Sequence, residues 1–248
     1  QYAEHPSAAQ PGARHLMNRQ TVDLYRAMSA QVSADSITRW LKEMIAIPSE
    51  NPMADAARPG HREQEIGEYY LEQMRQLGLT VGSREAAPGR PNVFGTRAGS
   101  KDHPSLMLCG HLDTVPTEGY DEPYAPHERD GRIYGRGSCD MKAGLACYLE
   151  VARLLQDADV TLSGSLMLCG VADEEWQMIG SREIGRNGPF ADQCIIGEPS
   201  NLAVCPAHKG QYGFFIRTFG KAVHSSIPEQ GENAIERMAR VVNEIGRA

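Results

Sequence analysis

Three observations predict an α/β fold with a mixed, largely parallel sheet flanked by helices. Short apolar runs at 105–109, 165–171 and 193–196 read as strands covered on both faces. A helical stretch at 141–155 lies between the first two. Strand, helix, strand in that order builds parallel neighbours joined by a crossover.

Taken in order, residues 1–32 are polar and mixed and read as an N-terminal extension with one candidate helix at 16–28. The helix at 33–45 is better defined. Ser33 or Asp35 can cap it, and Ile37, Trp40, Leu41, Met44 and Ile45 recur on one face. Pro48 and Pro52 cannot continue it. A further helix at 63–77 stops at Gly78, a residue suited to a left-handed C-terminal position. The strands and the crossover helix follow. Beyond them, 211–219 is an aromatic, β-favouring run with Tyr212, Phe214, Phe215, Ile216 and Phe219. The last element, 233–245, is an amphipathic helix carrying Ile235, Met238, Val241, Val242 and Ile245 on its apolar face. One strand and one helix do not make a stable unit. Residues 33–207 therefore read as a first domain and 208–248 as the start of a second.

Composition narrows the function. A net charge of −7 argues against a nucleic-acid groove or an anionic membrane surface. No apolar run approaches the roughly 20 residues that cross a bilayer. The six cysteines show no C-x-x-C spacing and mostly sit in apolar segments, so a reduced, cytoplasmic protein is expected. The chain starts at Gln1 without a charged-then-apolar leader and reads as trimmed or partial.

Ligand-type side chains follow the apolar runs. His111 comes two residues after the first, Glu174 and Glu175 soon after the second, and Glu198 two after the third. In open α/β sheets ligands bind beyond the carboxyl ends of the strands, so these groups converge on one edge. Imidazole and carboxylate without thiolate suit catalytic zinc, or cobalt or manganese in the same geometry. Asp113 can accept a hydrogen bond from the second ring nitrogen of His111 and fix its tautomer. Asp140 precedes a helix and is either its cap or a carboxylate bridging two cations. Of the adjacent Glu174 and Glu175, one can bind metal while the other serves as a base. Glu198, before Pro199, is a ligand or a turn cap. His208, Lys209 and His224 read by default as surface or loop residues.

With these motifs in place, the chain resembles the M20 metallopeptidases from about Ser33 to its last residue. The resemblance rests on 47–49 (Ile-Pro-Ser), 110–116, 130–137, 173–175, 197–200, 208–210 and 220–226. It implies a zinc-exopeptidase-like catalytic domain, the beginning of an α+β lid that commonly dimerises, and two zinc ions. His111 and Glu198 would hold one ion, Glu175 would help hold the other, and Asp140 would bridge them. Asp113 would orient His111. Glu174 would be the general base and acid toward a metal-activated water, and the Asp140–Met141 peptide would be cis. His224 would match a lid histidine that reaches a neighbouring subunit's site. The implied activity is cleavage of the amide of a small N-acyl amino acid, of deacetylase or desuccinylase type. A dipeptidase or carboxypeptidase of the same family and a catalytically dead metal-binding scaffold are the rivals. The family's further lid strands and a second metal-binding histidine have no counterpart in these 248 residues, so the chain reads as an N-terminal portion whose own activity is not assured.

Overall fold

A computed structural model describes residues 19–53, 63–100, 103–210 and 213–247. The chain divides into two compact units between Leu202 and Ala203.

The first unit contains α1 (Arg19–Ser29), α2 (Ala34–Ile45), α3 (Glu63–Gln76), β1 (Thr80–Ala87), β2 (Arg90–Arg97), β3 (Leu106–His111), β4 (His127–Arg129), β5 (Arg132–Tyr134), α4 (Lys142–Asp157), β6 (Leu166–Val171), α5 (Ile179–Asn187) and β7 (Gln193–Ile196). Ser33 caps α2: its Oγ accepts from the N–H of Ser36 at 3.1 Å. Gly78, just past α3, has φ +77°, where a Cβ would be strained. Of the candidate helix at 16–28, residues 16–18 lie outside the described residues, and α1 covers the rest.

Five strands form one sheet in the order β1-β2-β6-β3-β7. β6, β3 and β7 are parallel, whereas β2 is antiparallel to both of its neighbours, β1 and β6. The two sides of β3 and β6 bury different residues, as strand alternation requires. Leu108 and Leu168 pack into a core with Trp40, Met44, Ile45, Ile66, Tyr70, Leu145 and Leu149, contributed by α2, α3 and α4. Met107, Cys169 and Val171 face the other way and meet Ile184 of α5. The sheet is thus mixed and flanked by helices.

Several elements differ from expectation. The β1–β2 hairpin was not anticipated: β1 is mostly polar, and Pro91 in β2 argues against a strand. The short β4–β5 hairpin and α5, which carries Gly180 and Gly185, also gave too little pattern to read. β7 is a strand, but each of its residues is exposed rather than covered on both faces. It lies at the sheet edge with β3 as its one partner strand among the described residues. The second unit holds α6 (Ala234–Ile245), capped by Asn233. The expected strand at 211–219 is a correction: 213–219 has no ladder, and Phe215 and Phe219 are 84% and 75% exposed. Strand-favouring side chains need a partner strand to satisfy the backbone, and no described segment supplies one.

α5 is pinned to the end of β6. The N–H of Gly180 donates to Ala172 O at 3.1 Å, and Asn92 of β2 donates to Gly180 O at 2.9 Å while accepting from Ala172 N at 3.1 Å. A Cβ on Gly180 would lie 2.4 Å from Ala172 O and 2.6 Å from Ala172 N, backbone atoms that cannot step aside. Gly180→Ala is expected to cost about 1–3 kcal/mol through overpacking, read as a lower midpoint in urea unfolding. An unchanged midpoint would show that this junction is looser than drawn.

Candidate metal centre

The parallel register builds the site. His111 ends β3 opposite Val171 of β6, and Cys109 is opposite Ile196 of β7. The segments after β3, β6 and β7 therefore leave the sheet side by side at the same edge.

His111 is 1% exposed. Its Nδ1 lies 2.9 Å from the backbone oxygen of Asp113 and 3.5 Å from Asp113 Oδ1. A carbonyl can only accept, so Nδ1 carries a proton and donates. The partner of Nδ1 is chiefly the Asp113 backbone rather than its carboxylate. Nε2 then faces Asp140 Oδ1 at 3.0 Å, Glu198 Oε1 at 3.6 Å and Glu174 Oε2 at 4.0 Å. Donor atoms fall into two groups that share His111, each within 4.8 Å: His111 with Glu174 and Glu175, and His111 with Asp140 and Glu198.

Asp140 is not the helix cap. The N-cap of α4 is Met141, with no side-chain capping bond, and the Asp140–Met141 peptide is cis. The Asp140 carboxylate instead faces His111. Lys142, fully buried, donates from Nζ to Met44 O and Ile47 O, each at 2.9 Å, and so ties this turn to the carbonyl end of α2. Burial pulls its ammonium down to about 7.

Electrostatics mark a crowded acidic cluster. Burial alone would lower the His111 pKa, but Asp113 and Asp140 outweigh it and push it up to about 11. The hydrogen bond with His111 holds Asp140 below its ordinary value. Asp113 is also held low: burial opposes this, yet His111, Asn51 and the Glu174 N–H prevail. Glu174, Glu175 and Glu198 shift the other way. Burial raises all three and neighbouring carboxylates add to it, against the pull of His111, with Glu175 reaching about 7.

Behind these groups lies a buried polar network that the sequence did not reveal. Asp113 accepts from Glu174 N at 3.0 Å, Glu175 N at 3.1 Å and Asn51 Nδ2 at 2.6 Å. Asn51 Nδ2 also donates to Asp173 Oδ1 at 2.9 Å. Arg90 pairs with Asp173 Oδ1 at 2.8 Å and, through two nitrogens, with Glu63. Asn51 precedes a proline, and Glu63 and Arg90 stand in polar stretches, so the only sequence signal was Asp173 beside the two glutamates.

His224 belongs to the second unit, where it is exposed and its Nδ1 lies 2.8 Å from Ser226 Oγ within a local turn.

Comparison with known proteins narrows the identity. The profile of peptidase family M20/M25/M40 matches residues 107–246. An acetylornithine deacetylase of Vibrio campbellii is 39% identical over 172 residues, 68% of this chain and 44% of that protein. One of Vibrio vulnificus is 33% identical over 210 residues, 83% of this chain and 53% of that protein. The chain thus spans about half the length of the curated relatives it matches. Among solved structures, a tripeptidase of Staphylococcus aureus superposes with a TM-score of 0.64 at 24% identity, covering 86% of this chain and 56% of that one. Aminopeptidase PepT of Bacillus cereus does so at 0.59 and 21% identity, covering 86% and 57%. These likenesses establish the fold. With the profile covering more than half of its residues, the chain belongs to peptidase family M20/M25/M40.

Proposed function

We propose that this chain carries the catalytic centre of a dinuclear zinc amidohydrolase acting on a small N-acyl amino acid. The observation that carries the reading is the convergence of Asp140, Glu174, Glu175 and Glu198 on one buried imidazole whose Nε2 faces them. The donor set fits zinc: one neutral-capable nitrogen, carboxylate oxygens and no thiolate. The raised pKa values of Glu174, Glu175 and Glu198 describe carboxylates pressed together with too little positive charge nearby, a state that a cation would relieve.

His111 and Glu198 would hold one ion, Glu175 would help to hold the other, and Asp140 would be shared between them. Bound zinc supplies Lewis acidity at the amide carbonyl and makes water acidic enough to attack it at neutral pH. Glu174 takes the proton from the attacking water and passes it to the leaving amine. Burial and neighbouring carboxylates raise its carboxyl above the ordinary value, against the pull of His111, which makes it a stronger base than a free carboxylate. Asp113 keeps His111 and the Glu174–Glu175 turn in place. In a dimer of the whole protein, joined through the domain that begins in the second unit, His224 is the candidate for steadying the oxyanion at a neighbouring site. Six free thiols suit a reducing compartment, and we place the protein in the cytoplasm.

The Vibrio deacetylases, at 33–39% identity, favour N-acetylornithine-like substrates over peptides. The test is zinc content after metal loading and desalting, followed by hydrolysis of N-acetylornithine and of dipeptides. Retained zinc and preference for the acetylated amino acid are expected. A chain that keeps no zinc would sink the reading, and preference for dipeptides would sink its substrate.

A further inference from the structure

We propose that Asn51 is a positioning residue of the metal centre, its side-chain amide locking the Asp113 turn to the Asp173–Glu175 turn. This deepens the metal-centre reading above and rests on it.

Asp113 and Asp173 are each 1% exposed, and Asn51 is fully buried between them. Two buried carboxylates so placed repel each other unless a donor stands between. One amide nitrogen serves both, donating to Asp113 Oδ2 at 2.6 Å and to Asp173 Oδ1 at 2.9 Å. The orientation of the amide is fixed from its other end, where Asn51 Oδ1 accepts from Met53 N at 2.8 Å. The backbone is fixed as well. Asn51 N donates to Thr114 O at 2.8 Å, and Thr114 N donates to Ser49 O at 2.9 Å, so this segment runs beside the Asp113 turn like a short strand.

What Asn51 holds is what faces the metal. Asp113 uses its two oxygens to receive the N–H groups of Glu174 and Glu175. The Asp173 Oδ2 atom receives Gln177 N at 3.1 Å and Ile179 N at 3.3 Å, closing the turn that follows the glutamates. Asn51 therefore couples the His111 side of the site to the glutamate side while touching neither imidazole nor glutamate side chain. Without its amide Asp173 keeps Arg90 and Asp113 keeps the glutamate N–H groups, but the hydrogen bonds that tie one carboxylate to the other are lost, and the glutamates shift in register with His111.

The test is cobalt titration of the chain and of Asn51→Ala, Asn51→Asp and Asn51→Ser, followed by visible absorption and calorimetry, with thermal melts of the metal-free proteins alongside. Asn51→Asp is nearly isosteric but places an acceptor where a donor is needed. Asn51→Ser keeps one donor. The alanine and aspartate variants are expected to bind cobalt about 10–100-fold more weakly and to change its absorption bands, with serine between them and the unsubstituted chain. Affinity and bands like those of the unsubstituted chain in any folded alanine or aspartate variant would overturn the proposal, whatever the melting temperature. If all three variants unfold without metal, Asn51 is a folding residue and the proposal fails. If the unsubstituted chain takes up no cobalt, the metal-centre reading fails first and this proposal goes with it.

Discussion

Glu174→Gln is expected to lower amide hydrolysis by about 10²–10⁴-fold, the range attributed to a positioned acid–base group, while bound zinc stays near its original content. The substitution keeps the size of the side chain and the backbone N–H that donates to Asp113 Oδ1 at 3.0 Å, so the turn should hold its shape. It removes the capacity to accept a proton and return it. The position suits the role: Glu174 Oε2 lies 4.0 Å from His111 Nε2, and the side chain is still 43% exposed, open to an incoming water. Glu175→Gln provides the contrast, because there the first loss should be metal content. Turnover of N-acetylornithine and zinc analysis on the same samples separate the two roles. Turnover near that of the unsubstituted chain in Glu174→Gln would remove Glu174 from the mechanism. Loss of zinc as large as the loss of turnover would make it a ligand instead.

The parts of this site legible in the sequence are those that follow an apolar strand. His111, Glu174, Glu175 and Glu198 could be placed on one edge because parallel strands with crossovers all end on the same side. The observed β6-β3-β7 order does so. The groups that hold them were not legible. Asn51 is 62 residues from Asp113 and 122 from Asp173 along the chain, and nothing local distinguishes it from a turn residue before a proline. Arg90 opens a strand in a hairpin too polar to read, and Glu63 looks like an ordinary acidic first-turn residue of a helix. Their burial is decided by tertiary neighbours rather than by period or propensity. The same limit explains β7 and 211–219. Apolar or aromatic content predicts a covered strand, but cover and pairing must be supplied by other segments.

Arg90→Met is expected to destabilise the fold by about 3–5 kcal/mol, the cost of removing one partner from a buried ion pair. Arg90 is the cation of the network. Its Nη2 lies 3.0 Å from Glu63 Oε1 and 2.8 Å from Asp173 Oδ1, and its Nε bonds Glu63 Oε2. Glu63 is fully buried, and methionine replaces the stem of the arginine but not its charge. The pH dependence has a definite sign. Burial raises the Glu63 pKa even though Arg90 opposes the rise. A carboxyl raised above its unfolded value contributes stability that is fully present below the unfolded pKa and is lost as pH rises through the folded pKa. Removing Arg90 removes the main opposing effect, so the variant's deficit should be largest at neutral to alkaline pH and should shrink in acid. Asp113 and Asp140, whose pKa values are depressed, lose their own stabilising contributions in acid in both proteins. The quantity to follow is therefore the difference between the two urea midpoints at each pH. A difference that stays constant with pH would mean that lost packing, not an uncompensated Glu63, causes the damage. Adding Glu63→Gln to Arg90→Met should recover part of the stability, because a neutral amide costs less to bury than an unpaired carboxylate. The double variant still leaves Asp173 with the Asn51 amide and the N–H groups of Gln177 and Ile179, so the turn that carries Glu174 and Glu175 keeps most of its bonds. Its zinc content should accordingly exceed that of Arg90→Met alone, in step with its recovered stability.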